Sequence, residues 1–234
     1  MNLLKQLRKE LNKLSDPIRA QHSKRYFKTG PREYGEGDIF LGINIPTQRN
    51  IAKKYYNLNF FEIKDLLKSK IHTERFIALL VLMDRYGKTK VEEKTKIFNF
   101  YLKSIKGVNN WDLVDISSPK IIGDYLFDKN KDILYQLAKS KNLWKRRISI
   151  ISTQFFIKNN QFADTLEIAL ILLKDKEDLI HKAVGWMLRE VGKKNQTIEE
   201  KFLKKYAPIM PRTMLRYAIE KFTPSKKNFY LSLK

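Results

Sequence analysis

Apolar residues recur every three or four positions along most of the chain, which is the period of an α-helix. This spacing is followed near the N-terminus by Leu3, Leu4, Leu7, Leu11 and Leu14, and Asp16 with Pro17 has the composition of a second helix start. The same period predicts further helices at residues 59–69, 73–86, 88–104, 110–117, 119–127, 130–140, 143–157, 160–173, 177–192, 196–206 and 211–222. No segment shows the alternation of a β-strand. The pattern therefore predicts an all-α protein.

The segment between the second and third helices has a different composition. YFKTGPREYGEGDIFLGINIP, residues 26–46, is rich in glycine and contains two prolines, so we expect a loop or an ordered connection. Thr47 is the expected N-cap of the helix that follows. We treat residues 28–46 as a connection within one domain that covers residues 1–234.

Four apolar helices resemble one another and predict a repeat. They are ERFIALLVL from residue 74, KRRISIIST from 145, HKAVGWMLRE from 181 and PRTMLRYAIE from 211. Ala78, Ser149 and Gly185 align with separations of 71 and 36 residues, and residue 114 falls at the missing period. The implied unit is a pair of antiparallel helices, which buries its apolar face only by stacking on its neighbours. We therefore expect a HEAT-like or ARM-like solenoid with a concave basic groove.

The repeat also predicts a shared direction for certain side chains. Leu79, Asp115, Ile150 and Trp186 each follow the aligned position by one residue. Two of these residues are core-type aliphatics, whereas the other two are a carboxylate and an indole. Because equivalent positions of a solenoid project in equivalent directions, we expect Asp115 and Trp186 to face one groove.

The charge of the chain narrows the class of partner. The 47 Lys and Arg against 25 Asp and Glu give a net charge of +22 and a pI of about 9.9. Nucleic acid is the leading partner for such a surface, an anionic membrane surface is the second, and a solvated basic face is the alternative without a ligand.

Several kinds of site are absent from the sequence. The lack of cysteine excludes disulfides, thiolate zinc sites and a cysteine nucleophile. His22, His72 and His181 form no pair with metal-ligand spacing, so we expect neither a metal nor a cofactor. The N-terminal segment lacks the apolar run of a signal peptide, and no apolar stretch is long enough to span a membrane. We expect a cytoplasmic protein.

The stretch GVNNWDLVDISSP, residues 107–119, carries the strongest candidate chemistry. On a helix, Trp111 and Asp115 are i and i+4 and lie on one face. Asp112 has a structural explanation in the first helical turn, where the helix dipole favours an acid. Asp115 lies among Leu113, Val114 and Ile116, in an apolar run. It is either a functional carboxylate or a buried one that an arginine or backbone donors satisfy.

These motifs resemble a known family. WDLVD, LWKRR, GWMLREVGKK and PRTMLRYAIEKF, together with the earlier FLGINIP, look like the AlkD-type alkylpurine DNA glycosylases of the DNA alkylation repair family. The resemblance runs from about residue 25 to the end and implies a HEAT-like solenoid that grips duplex DNA. It assigns the catalytic carboxylate to Asp115, the aromatic walls to Trp111 and Trp186, and a DNA-gripping arginine to Arg147, three residues after Trp144.

The implied reaction is hydrolysis of the N-glycosidic bond of cationic N3- or N7-alkylated purines in duplex DNA. The carboxylate would stabilise an oxocarbenium-like deoxyribose and position the attacking water. The partner is then double-stranded DNA, and we expect a monomer that is associated with the nucleoid and needs no protein partner. The basic residues on the repeat helices that we expect at DNA phosphates are Arg146, Arg147, Lys182, Arg189, Arg212 and Arg216.

Three other functions stay open on the sequence. The first is a non-catalytic HEAT-like binder of branched or distorted DNA, as in family branches that have replaced active-site residues. The second is a scaffold that holds an acidic protein along its groove, because fold does not determine function. The third is a membrane-surface protein, which is supported by the net positive charge and the N-terminal amphipathic helix.

Overall fold

A computed structural model describes residues 3–233 of the protein. Within that range the regular elements are helices, and an isolated parallel bridge between Ile39 and Ile71 is the only β-type pairing. The prediction of an all-α protein is confirmed. The chain forms two compact units, which meet in sequence between Leu113 and Val114. The single domain that we expect over residues 1–234 stays a prediction.

The first unit is built around one long buried helix. Its helices are α1 (Leu3–Lys13), α2 (Pro17–Tyr26), α3 (Ile45–Lys54), α4 (Phe60–Leu67), α5 (His72–Lys88) and α6 (Val91–Lys103), followed by the start of α7 (Trp111–Ser118). Helix α5 packs against α3, α4 and α6 and is buried over most of its length. The strong apolar run that begins at Phe76 is therefore the core of this unit.

Local capping chemistry sets the helix starts in this unit. Asp16 accepts a hydrogen bond from the Arg19 amide, as its place before Pro17 predicts. The expected cap at Thr47 is wrong, because α3 begins at Ile45 and the side chain of Asn44 accepts the Thr47 amide at 2.9 Å. An asparagine before Ile-Pro competes successfully for the cap, since proline is well suited to the first helical turn.

The second unit is organised around two central helices. After the end of α7 and a π-helical turn at Pro119–Gly123 come α8 (Asp124–Leu126), α9 (Asp132–Ala138), α10 (Leu143–Ser152), α11 (Gln154–Lys158), α12 (Ala163–Ile171), α13 (Asp178–Lys194), α14 (Gln196–Tyr206), α15 (Arg212–Ala218) and α16 (Pro224–Ser232). Helix α10 packs on α9 and α13, and α13 packs on α14 and α15. The helix predicted at 143–157 is divided at Thr153, whose hydroxyl bonds the Ile150 carbonyl.

The aligned repeat positions share one environment. Ala78, Val114 and Ser149 are fully buried in α5, α7 and α10, and Gly185 is buried in α13. Gly185 allows a close crossing, because a Cβ there would collide with the Met214 carbonyl and Tyr217 on α15. Small or compact residues therefore recur where one repeat helix packs on its neighbour.

Candidate functional site

Helix α7 begins at Trp111, and its first residue is fixed through the backbone. The Trp111 amide donates to Asn110 Oδ1 at 2.8 Å, and Asn110 is fully buried. The amide nitrogen of the Asn110 side chain donates in turn to Asp38 at 3.3 Å. Trp111 and Asp115 are four residues apart on α7, so they lie on the same side of this helix.

Asp115 forms a bidentate ion pair with Arg147 of α10. Arg147 Nε donates to Asp115 Oδ1 at 2.8 Å, and Nη2 donates to Oδ2 at 2.7 Å. Only 6% of the Arg147 side chain and 15% of the Asp115 side chain are exposed. An arginine thus satisfies the carboxylate within the apolar run of α7. Bidentate pairing fixes the plane of the carboxylate, because two parallel hydrogen bonds leave it no freedom to turn.

The ion pair also reaches the helix that carries Trp186. The third guanidinium nitrogen of Arg147, Nη1, donates to the Leu179 carbonyl of α13 at 2.5 Å. Trp186 lies seven residues later on the same helix, which is two turns along the same face. Its indole is half-buried and donates through Nε1 to Glu190 at 3.1 Å. The structure therefore joins Asp115 and Arg147 directly and links Trp186 to them through α13.

Trp111 is held by aromatic neighbours in the first unit. Its indole stacks on Phe27, with ring centroids 5.3 Å apart and an interplanar angle of 20°. Tyr26 meets the same indole edge-on at 5.7 Å. The neighbouring Asp112 lies in the first turn of α7, where the helix dipole favours an acid. It also accepts a hydrogen bond from His72 Nε2 at 2.9 Å. Sequence reasoning missed Phe27 and His72, since nothing in their spacing connects them to residue 111.

The basic residues predicted at DNA phosphates differ in how far other groups already engage them. Arg146 binds Asp175 through two nitrogens and also donates to the carbonyls of Ser140 and Lys141. Arg147 is engaged by Asp115, as described above. These two arginines brace α10 against its neighbours, so a phosphate would have to compete with a carboxylate for either of them.

The other predicted phosphate contacts lie on α13 and α15. Arg189 pairs with Glu220 and Glu190. Arg212 is exposed and donates to the Leu231 carbonyl at 2.6 Å. Arg216 is exposed and has no hydrogen-bond or ion-pair partner among residues 3–233. Of the six residues predicted at DNA phosphates, Arg216 is the one for which residues 3–233 supply no such partner.

Lys182 forms an ion pair at the start of α13. Its amine lies 2.7 Å from Asp178, four residues earlier. Partial burial is the largest single effect and raises the pKa of Asp178, but the hydrogen bond and charge of Lys182, together with Thr213 and His181, outweigh it and lower the pKa overall. The Lys182 side chain is 39% exposed.

A metal site and a membrane-spanning helix each have requirements that the described residues do not meet. No group of three or more His, Asp or Glu side chains within residues 3–233 is arranged to hold a metal ion. In the same part of the chain, none of the helices is both long and apolar enough to cross a lipid bilayer.

Comparisons with known proteins identify the family of the chain. The fold is similar to a protein described as a predicted DNA alkylation repair enzyme from Enterococcus faecalis, with a TM-score of 0.68, 16% identity and coverage of 90% of this chain and 97% of that one. It is also similar to AlkD2 from Streptococcus mutans, with a TM-score of 0.55, 18% identity and coverage of 88% and 99%. No curated protein matches the sequence. A family model described as DNA alkylation repair enzyme matches residues 7–222. The chain therefore belongs to the DNA alkylation repair enzyme family.

Proposed function

We propose that the protein is a DNA glycosylase that releases cationic N3- or N7-alkylated purines from duplex DNA. The observation that carries this proposal is the carboxylate of Asp115, which Arg147 holds in a fixed plane one turn after Trp111. Family membership supplies the context of alkylated DNA, and the net charge of +22 suits a polyanionic substrate.

Hydrolysis of the N-glycosidic bond of a cationic purine requires a carboxylate near the deoxyribose but no general acid. A purine alkylated at N3 or N7 is positively charged, so it already leaves readily when the glycosidic bond breaks. Positive charge then develops on the deoxyribose, and a nearby carboxylate stabilises it and orients the incoming water. Asp115 is assigned both tasks. The guanidinium of Arg147 favours the anionic form of Asp115. The anion is the form that stabilises positive charge and orients water.

The two indoles are assigned to the walls around the reacting sugar. The electron-rich face of tryptophan attracts cationic character. Trp111 lies on the helix of Asp115, and Trp186 lies on the helix that Arg147 contacts. Both side chains are half-buried, so each keeps exposed surface for a ligand.

Arg147 is assigned a positioning role in addition to the DNA contact that the resemblance implies. Three of its nitrogens already bind Asp115 and the Leu179 carbonyl, and its side chain is almost fully buried. Phosphate binding falls more readily to Arg216, Arg212 and Lys182, whose side chains are exposed or partly exposed.

The decisive experiment is base release from duplex DNA that carries N7-methylguanine, under single-turnover conditions with enzyme in excess. Asp115→Asn should lower the rate at least about a hundredfold, as removal of a main electrostatic stabiliser does. The variant leaves Arg147 buried without its counter-charge, so some loss of stability is expected too. The double variant Asp115→Asn/Arg147→Gln removes both charges and should be equally inactive while folding more stably.

Asp175→Asn is the matched control. It also removes the acid from a largely buried bidentate pair in the same unit, that of Asp175 with Arg146. It should cost stability without abolishing base release. Equal rates for Asp115→Asn and Asp175→Asn would refute the assigned role of Asp115.

A second candidate is a binder of branched or distorted DNA without hydrolysis. The ion pair itself favours this alternative, because it gives Asp115 a purely structural explanation. Tight binding of the wild type to such DNA, together with no release of N7-methylguanine, would select it.

A further inference from the structure

Four aromatic rings of the first unit form a cluster in which Phe27, Phe40 and His72 pack on one another and Trp111 stacks on Phe27. Trp111 stacks on Phe27 at 5.3 Å, and Phe27 stacks on Phe40 at 4.8 Å with an interplanar angle of 16°. Phe40 stacks on the imidazole of His72 at 4.6 Å and 25°. The rings of these three stacked pairs are therefore nearly parallel. This cluster fixes the plane of the indole, because Phe40 and His72 hold Phe27 in place and tilting Trp111 would lose its stacking contact with Phe27.

Polar contacts connect the surroundings of this aromatic cluster to the residues on both sides of Trp111. His72 Nε2 lies 2.9 Å from Asp112 Oδ1, and the imidazole is the donor because an ionised carboxylate only accepts. On the other side, Asn110 donates to Asp38, which is buried in an ion pair with Arg75 at 2.7 Å. Three consecutive residues, 110 to 112, thus each have a partner in residues 27–40 or at the start of α5.

Backbone hydrogen bonds join the segment that contains Asp38 and Phe40 to the start of α5, which carries His72. The Ile39 amide donates to the Lys70 carbonyl at 2.9 Å, and the His72 amide donates to the Ile39 carbonyl at 2.8 Å. Ile39 lies between Asp38, which accepts a hydrogen bond from Asn110, and Phe40, which stacks on His72. The Gly- and Pro-rich connection is therefore anchored where it supports α7, although part of it lies on the surface.

We propose that residues 27–40 are a positioning device for Trp111, in which Phe27 sets the plane of the indole. The inference rests on the proposed function, because positioning of Trp111 by residues 27–40 matters for catalysis only if the indole contacts the substrate. Phe27 is a positioning residue and does not itself reach the reacting atoms. Small displacements of positioned groups are costly in catalysis, so loss of this support should slow the chemical step more than DNA binding.

The test combines a spectroscopic reading of Trp111 with base release. The full chain is labelled with 5-fluorotryptophan at Trp111, Trp144 and Trp186, and Trp111→Phe assigns the fluorine resonance of residue 111. Phe27→Leu should move or broaden that resonance and leave the other two in place. It should lower the single-turnover rate of N7-methylguanine release about tenfold, with the Kd for duplex DNA unchanged.

Two further variants separate positioning from general packing. Phe27→Tyr keeps the ring, so it should restore both the resonance and the rate. Phe100→Leu makes the same substitution at another half-buried phenylalanine of the first unit, which packs on Phe60 at 4.8 Å. It should leave the Trp111 resonance and the rate as in the wild type.

The outcomes distinguish this inference from the proposed function. A Trp111 resonance that Phe27→Leu does not disturb would overturn the inference, as would a disturbed resonance with an unchanged rate. If the wild type releases no base, the glycosylase proposal fails and so does positioning for excision. The fluorine resonance then still decides whether Phe27 holds the indole.

Discussion

A buried glutamate in the second unit should make the stability of the protein fall as the pH rises. Glu199 of α14 is 1% exposed, and its Oε1 has no hydrogen-bond partner among residues 3–233. Its carboxylate lies against Gly192 of α13, where any Cβ would collide with it. Burial raises the pKa of Glu199 to about 8; the neighbouring Glu200 adds to this effect and Arg189 opposes it.

The sign of the effect follows from proton linkage. Between the ordinary value of 4.5 and about 8, folded Glu199 holds a proton that the unfolded chain has released. Stability is therefore full below about pH 4.5 and declines until the pH passes about 8. At about 1.36 kcal/mol per pH unit, this difference corresponds to up to about 5 kcal/mol. Glu199→Gln removes the titration, so the variant should be more stable than the wild type at pH 8.5 by a few kcal/mol.

Urea unfolding followed by circular dichroism at pH 5 to 9 measures this difference. The free energies of unfolding of wild type and Glu199→Gln should lie close together at pH 5 and separate steadily towards pH 8. Glu92→Gln, at an exposed glutamate of α6, is the control and should follow the wild type. Curves for Glu199→Gln and wild type that stay parallel over the whole range would refute the reasoning.

Two further predictions concern packing and DNA contact. Gly185→Ala places a methyl group against the Met214 carbonyl and Tyr217, so α13 and α15 must separate; we expect a loss of about 1–3 kcal/mol, and an unchanged Tm would contradict the close crossing. Arg216→Gln should weaken binding to duplex DNA regardless of sequence and reduce the slope of log Kd against log salt by about one; an unchanged slope would remove Arg216 from the phosphate contacts.

Local patterns of the sequence were enough to predict much of the helical framework. The apolar period predicts an all-α chain because a helix buries one face whatever it packs against. Asp16 before Pro17 predicts the start of α2, since a cap needs only its own turn. At α3, two polar residues flank Ile45-Pro46, and the pattern favours Thr47 where the structure uses Asn44. The choice depends on how the preceding segment approaches the helix.

The spacing of the repeat in the sequence also predicts which positions are buried. Ala78, residue 114, Ser149 and Gly185 align by spacing alone, and all four are buried in the structure. Spacing predicts this because stacked helix pairs present the same position to each neighbour. The direction of Asp115 and Trp186 towards a common groove stays a prediction.

The sequence by itself determined the helices, the buried repeat positions and the presence of Trp111 and Asp115 on one face of α7. Only the tertiary structure selected Arg147 as the partner of Asp115, from a position 32 residues away. It also placed Phe27 against Trp111 and left Oε1 of Glu199, beside Gly192, without a hydrogen-bond partner among residues 3–233. The physical reason is that helix formation depends on neighbours within a turn, whereas 47 basic side chains offer many partners to each acid. The packing of distant helices decides which of them meet.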